Sequence, residues 1–297
     1  MNLHTIDAAI QSYVEVLSAA ELNTLDFFRG IFEIQAHHGE LVVRDSDYEP
    51  LPETMLEQAY HNEKPAFLLK SVKIDPQKFL AALTDCSSYL LEKGKLMPTS
   101  EAALRDFDWE SCIKDSDLTL GGSDPSAYIA TVCENEQKKT SSLPSETMAL
   151  VLSFALRPML ESSAEKVMNS FDHKTVNENF NRPIACPACG SHTSAAVVGP
   201  TPSGAPNGKM NYCALCGTQW EFERIRCANC GTQNQGKLHY FNLEGDNAHR
   251  LYLCDECGSY TRTVFREDMK SLFCFEVEDV VMAKLDAVAN DERFKLR

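Results

Sequence analysis

The sequence predicts an α+β protein: an N-terminal all-helical domain followed by two tandem four-cysteine modules. Three observations carry this. One motif occurs four times, as Cys186-Pro-Ala-Cys189-Gly190, Cys213-Ala-Leu-Cys216-Gly217, Cys227-Ala-Asn-Cys230-Gly231 and Cys254-Asp-Glu-Cys257-Gly258. The spacing also repeats: 23 residues separate Cys189 from Cys213 and Cys230 from Cys254, and the second pair of motifs lies 41 positions after the first. Finally, residues 1–180 place apolar side chains at helical spacing, whereas residues 184–266 hold short β-forming runs between turns.

The motif has a chemical reason. A Cys-x-x-Cys turn points two sulfurs at one ion, and the glycine after it permits the positive φ that such a knuckle needs. Two facing knuckles complete a tetrahedron of thiolates with metal–sulfur bonds of about 2.3 Å. A 23-residue spacer is long enough for a β-hairpin that brings the chain back to the first knuckle, which is zinc-ribbon or rubredoxin-like geometry. Cys186, Cys189, Cys213 and Cys216 are therefore expected to hold one metal, and Cys227, Cys230, Cys254 and Cys257 a second. A cross-braced pairing of first with third and second with fourth knuckle is the alternative. Tetrathiolate sites accept zinc or iron; zinc would be structural, and iron would allow one-electron chemistry. Disulfides are the competing use of eight cysteines. They are disfavoured because no secretion signal is evident and a reducing compartment is expected. A closed four-thiolate site leaves no open position for hydrolytic metal chemistry.

The expected layout is residues 1–180 as a helical acidic domain, 181–225 and 226–270 as the two ribbons, and 271–297 as a C-terminal strand and helix. In order, His4–Ala20 carries an apolar stripe through Ile6, Ile10, Tyr13, Val14 and Leu17. Asn23 and Thr24 offer caps for a second helix through Phe27, Phe28, Ile31, Phe32 and Ile34. Asp45–Pro52 reads as a loop. Further helices are predicted over Pro52–Tyr60, Asp75–Leu91, Pro125–Glu136 and Ser145–Ser170, with Asp75-Pro76 as a cap and first-turn proline. Gly121-Gly122-Ser123 and Lys138–Ser142 read as loop punctuation, and Asp172–Pro183 as the linker. Strands are predicted around Trp220–Phe222, Leu238–Phe241 and Arg250–Leu253. Turns are expected at Pro200–Gly208 and Gly245–Asn247, and a closing helix over Asp279–Val288.

Composition bounds the function. The chain has 297 residues and a net charge of −15. Residues 181–297 hold 13 basic and 14 acidic residues, so nearly all of the negative charge lies in residues 1–180. Such a surface repels phosphate and argues against nucleic acid as a partner. No apolar run is long enough to span a membrane, and a cytoplasmic location is expected. A homo-oligomer is left open. No nucleotide-binding, serine-triad or zinc-protease motif is present.

Residues outside the pattern are read conservatively. Cys86 and Cys133 fall in helical segments and read as core residues, and Cys112 and Cys274 also stand apart from the knuckles. His192 and His239 read as surface or hydrogen-bonding residues. His37-His38 reads as a cationic helix end. Arg224, Arg226, Arg262 and Arg266 read as a solvated ribbon face, with a docking patch for an acidic partner or nucleic acid as the functional alternative.

The order of a helical acidic domain and two tandem ribbons resembles the FdhE family of formate dehydrogenase accessory proteins. The resemblance rests on the four knuckles, on Cys186-Pro-Ala-Cys-Gly-Ser-His192, on Tyr212-Cys-Ala-Leu-Cys-Gly-Thr-Gln-Trp220 and on Arg224-Ile-Arg-Cys-Ala-Asn-Cys230. Leu238-His-Tyr240, Cys257-Gly-Ser-Tyr260 and Leu156-Arg-Pro158 add to it. It is specific over roughly the C-terminal third. It implies a cytoplasmic, non-enzymatic maturation factor. Its partner would be the catalytic subunit of a respiratory formate dehydrogenase, bound before export. It also favours iron in the two sites. A rubredoxin-type electron carrier and a zinc-ribbon nucleic-acid binder are the competing readings.

Overall fold

A computed structural model describes residues 1–45, 47–139, 142–170 and 182–290. The helical part consists of α1 (Leu3–Ser12), α2 (Ala19–Asp45), α3 (Glu53–His61), α4 (Ala66–Leu69), α5 (Pro76–Lys93), α6 (Pro98–Arg105), α7 (Trp109–Lys114), α8 (Leu118–Ser123), α9 (Pro125–Lys138) and α10 (Ser145–Met168). The strands are β1 (Ala195–Gly199), β2 (Gly208–Tyr212), β3 (Gln219–Phe222), β4 (Leu238–Asn242), β5 (His249–Cys254) and β6 (Tyr260–Phe265). They are followed by α11 (Phe275–Val281) and α12 (Ala283–Ala289). No helix among the described residues is long and apolar enough to cross a membrane.

Several helix boundaries follow capping chemistry. Asp75 accepts from the backbone N–H groups of Gln77 and Lys78 ahead of Pro76, as the sequence predicts. The start of α2 differs from expectation. Asn23 and Thr24 lie inside the helix, and the cap is Ser18-Ala-Ala-Glu21: the Glu21 N–H donates to Ser18 Oγ at 3.4 Å, and the Ser18 N–H donates back to the Glu21 carboxylate at 2.9 Å. The predicted helix His4–Ala20 correspondingly ends at Ser12. His37 and His38 sit within α2, which runs on to Asp45; His38 is buried and bonded to Asp85 at 2.8 Å. Gly121-Gly122-Ser123 closes α8, where a Cβ at Gly122 would strike the Val72 carbonyl. The closing helix over Asp279–Val288 is two helices that meet at Met282. Most of the predicted linker, residues 172–181, and Thr140 and Ser141 of the predicted loop lie outside the described residues.

Helix α10 forms the centre of the helical part and packs on α2, α5 and α9. It contains Pro158, which lacks the N–H that would bond the Phe154 carbonyl one turn earlier. Buried Gln35 of α2 supplies the donor, its Nε2 lying 3.1 Å from that carbonyl. The core around α10 holds Leu152, Leu156 and Leu160 and extends without a break into Cys186, Cys189, Cys213, Cys216 and Trp220.

The strands build one six-stranded sheet in the order β3-β2-β1-β6-β5-β4. Each ribbon contributes three antiparallel strands, and the predicted hairpin across the first spacer is β1–β2. The runs β1, β2 and β6 are additional to the strands the sequence pattern marks. The join is parallel, β1 beside β6, with Ala196 opposite Thr263 and Val198 opposite Phe265. Each ribbon therefore presents its first strand on one side and its third on the other, and the duplicated unit repeats across the sheet. Helices α11 and α12 cover one face through Phe275, Met282 and Leu285, which pack with Val197, Met210, Tyr212, Leu251 and Val264.

Candidate metal centres

The four knuckles share one backbone. In each, the glycine N–H donates to the first cysteine's carbonyl, at 2.8 Å for Gly190 and Gly217, 3.0 Å for Gly231 and 2.9 Å for Gly258. The first cysteine's N–H then bonds the carbonyl of the residue after the glycine, namely Ser191, Thr218, Thr232 or Ser259. Closing that double bridge requires left-handed backbone at the glycine, and φ is 81°, 80°, 75° and 71° in chain order.

The structure groups the sulfurs in sequence order. Cys186, Cys189, Cys213 and Cys216 form one tetrad and Cys227, Cys230, Cys254 and Cys257 another, with all sulfurs of a tetrad within 4.8 Å of one another. In the first tetrad Cys186 Sγ lies 3.5 Å from Cys216 Sγ, and Cys189 Sγ 3.6 Å from Cys213 Sγ. In the second, Cys227–Cys257 and Cys230–Cys254 are both 3.8 Å apart. A tetrahedron of thiolates with bonds of about 2.3 Å has edges of about 3.8 Å, so both tetrads fit a zinc or iron ion. Two tetra-cysteine groups able to bind two metal ions are thus in place.

The surroundings differ. All four sulfur-bearing residues of the first tetrad are fully buried. Its first knuckle is docked on α4, whose Ala66 and Phe67 N–H groups donate to the Pro187 and Ala188 carbonyls at 2.8 and 2.9 Å. Ser126 Oγ of α9 pairs with Ser191 Oγ at 2.8 Å. Its second knuckle is held by Arg157 of α10, which donates to the Ala214 carbonyl at 2.7 Å and to the Tyr212 hydroxyl at 2.8 Å. In the second tetrad Cys227 and Cys254 are buried, but Cys230 and Cys257 are exposed. Asn229 Nδ2 donates to Cys257 Sγ at 3.6 Å and to Ser259 Oγ at 2.9 Å. Slight burial raises the Cys257 thiol, and bonds from Asn229 and the Ser259 backbone outweigh it, lowering the thiol to about 6.

The isolated residues resolve as follows. Cys86, Cys112, Cys133 and Cys274 are buried and belong to neither tetrad. His239 is exposed and bonded to Asp255 at 2.9 Å; His192 is exposed and lines a cavity of about 420 Å³ between α2, α10 and the first ribbon. Of the four arginines, Arg226 is buried and paired with Glu223 at 3.1 Å, and Arg262 is paired with Asp279 at 2.6 Å. Those two are structural ties rather than part of a solvated face. The sequence reading missed the groups that fasten the ribbons to the helices, Arg157, Glu276, Tyr13, His249 and Glu278. Arg157 stands in Leu156-Arg-Pro158 and Tyr212 directly before Cys213, so a charged residue mid-helix and an aromatic beside a knuckle were the available signals.

Fold and centres together define a helical protein that carries a tandem pair of tetra-cysteine ribbons merged into one sheet. No family model matches the chain. The "Protein FdhE homolog" of Aquifex aeolicus is 25% identical over 272 residues, covering 91% of this chain and 84% of that protein. The FdhE protein of Escherichia coli is 32% identical over 111 residues, 37% of this chain and 34% of that protein. The crystal structure of the FdhE protein from Pseudomonas aeruginosa superposes with a TM-score of 0.54 at 16% identity, covering 97% of this chain and 90% of that one. The chain is thus similar to an FdhE homolog over most of its length and shares the fold of an FdhE protein.

Proposed function

We propose that the chain is a non-enzymatic accessory factor needed to form active respiratory formate dehydrogenase, and that it binds the catalytic subunit in the cytoplasm before export. Similarity to FdhE proteins supports the accessory role. The observation that carries the reading is the pair of tetrahedrally spaced cysteine tetrads in a chain aligned with an FdhE homolog over 91% of its length. Cys186, Cys189, Cys213 and Cys216 would hold one ion and Cys227, Cys230, Cys254 and Cys257 the other. Zinc there would brace the ribbons, and iron would add a one-electron couple.

Two measurements test this. Pull-down of the chain from host cytoplasm making formate dehydrogenase should bring down the catalytic subunit; its absence under those conditions removes the partner. Metal analysis of Cys230→Ser should show about one ion per chain where the parent holds two, because metal binding and ribbon folding are coupled. An unchanged content would overturn the ligand assignment. The exposure of Cys230 and Cys257 favours a second reading, electron transfer through the second tetrad. That reading requires bound iron whose visible band bleaches reversibly on reduction, and isolation with colourless zinc alone would dismiss it.

A further inference from the structure

The two tetrads share a backbone and differ in their access to solvent. The first has no exposed cysteine, lies within the core of the helical part and has both knuckles tied down by α4, α9 and α10. None of its four cysteines offers surface to an incoming ligand, so displacement there requires neighbouring groups to move first, which is slower than attack at an exposed sulfur. The second has two cysteines in solvent, one from each of its knuckles. Asn229 Nδ2 lies across its open side and spans from Cys257 to Ser259. Two large apolar side chains are also exposed, Ile225 at the junction of the two ribbons, two residues before Cys227, at 47%, and Tyr240 of β4 at 45%.

We propose that the second tetrad is an exchange site, which passes its metal ion to, or takes it from, a protein that presents cysteine thiolates over Cys230 and Cys257. The first tetrad keeps its ion as part of the scaffold. The proposal rests on the ligand assignment above. The step is ligand substitution. An incoming thiolate bonds the ion as the Cys257 bond breaks, a second replaces Cys230, and the buried Cys227 and Cys254 leave last. The ion keeps its oxidation state. Four thiolates are released as four are engaged, so the charge around the ion is unchanged, and any proton lost by an incoming thiol passes to a freed sulfur.

The test uses the full chain loaded with two zinc ions and dimercaptosuccinate, a dithiol, as the probe acceptor. Release is expected in two equal phases separated by roughly 100-fold or more, the cost of opening a buried core. The fast rate should rise in proportion to dithiol concentration. Cys257→Ser should abolish the fast phase and leave the slow one. Asn229→Ala keeps all eight thiols and should quicken the fast phase several-fold with no change in the slow one. A single phase, a fast rate independent of dithiol, or a fast phase that survives Cys257→Ser would overturn the exchange proposal. A parent chain that binds fewer than two ions would instead overturn the ligand assignment on which it stands.

Discussion

Helix α11 is gripped from two sides by buried charge networks that have different cations at their centres. Glu276 meets Arg157 of α10 at 3.0 Å, and the same guanidinium holds Glu161 at 2.9 Å, the Tyr212 hydroxyl and the Ala214 carbonyl. Two residues on, fully buried Glu278 meets His249 of β5 at 2.8 Å and accepts from the hydroxyl of Tyr13, the residue that ends α1, at 2.8 Å. His249 is held on its other nitrogen by Asp246 at 2.9 Å. The first network joins the helical core to the first ribbon, and the second joins the N-terminal helix to the second ribbon. Burial opposes charge on Arg157, but Tyr212, Glu161 and Glu276 prevail and hold it well above its usual range. A guanidinium with such partners stays charged at every relevant pH. An imidazole does not. One joint is therefore permanent and the other can be titrated.

The sharpest way to break this comparison is to remove the arginine. Arg157→Met leaves Glu276, Glu161 and the Ala214 carbonyl without their shared donor. Removing one partner of a buried ion pair costs about 3–5 kcal/mol. The denaturation midpoint should drop accordingly, by the same amount at pH 6 and pH 9. A loss confined to one end of that range would show that Arg157 is not the permanent centre of its joint.

The histidine joint should behave in the opposite way. Burial lowers the basicity of His249, but Asp246 and Glu278 more than reverse this and raise it from 6.5 to about 9. The folded value lies above the unfolded one, so protonation favours the folded state. The contribution is complete below pH 6.5 and is lost as the pH climbs to about 9. Its size is on the order of 3 kcal/mol. Stability of the parent should fall across that window, and His249→Gln should be less stable at pH 6 and flat with pH. A parent profile without slope between those values would remove the charged imidazole from the account.

These two joints also mark where the sequence stops being readable. The knuckles were legible because a tetrathiolate site imposes residue type, spacing and a glycine together, so eight cysteines announce their own geometry. The long helices were legible from apolar spacing. The cap at Ser18 was not, because Asn23 and Thr24 offered the same chemistry five residues on and nothing local decided between them. The parallel pairing of β1 with β6 was hidden because it joins strands 60 or more residues apart whose runs, Ala195–Gly199 and Tyr260–Phe265, carry no signal for a neighbour. Tyr13 and Glu278 lie 265 positions apart, and neither is unusual until the fold brings them together.

The smallest expected effect sharpens the comparison from inside the titratable joint. Burial, with Glu278 close by, pushes the Tyr13 hydroxyl far above its usual range, so it remains a donor throughout the window in which His249 titrates. Tyr13→Phe removes that donor and keeps the ring packed against Ile6 and Val277 in the small core of α1, α2 and α11. Glu278 still has His249, so the cost should be about 1–2 kcal/mol, the range for one bond to a charged acceptor that retains another partner. The loss should be present at pH 6, with the downward slope between pH 6.5 and 9 kept, since the pair of Asp246 and Glu278 that holds the imidazolium is untouched. A Tyr13→Phe chain whose stability no longer fell with pH would mean that the phenol, rather than the two carboxylates, is what makes the second joint titratable.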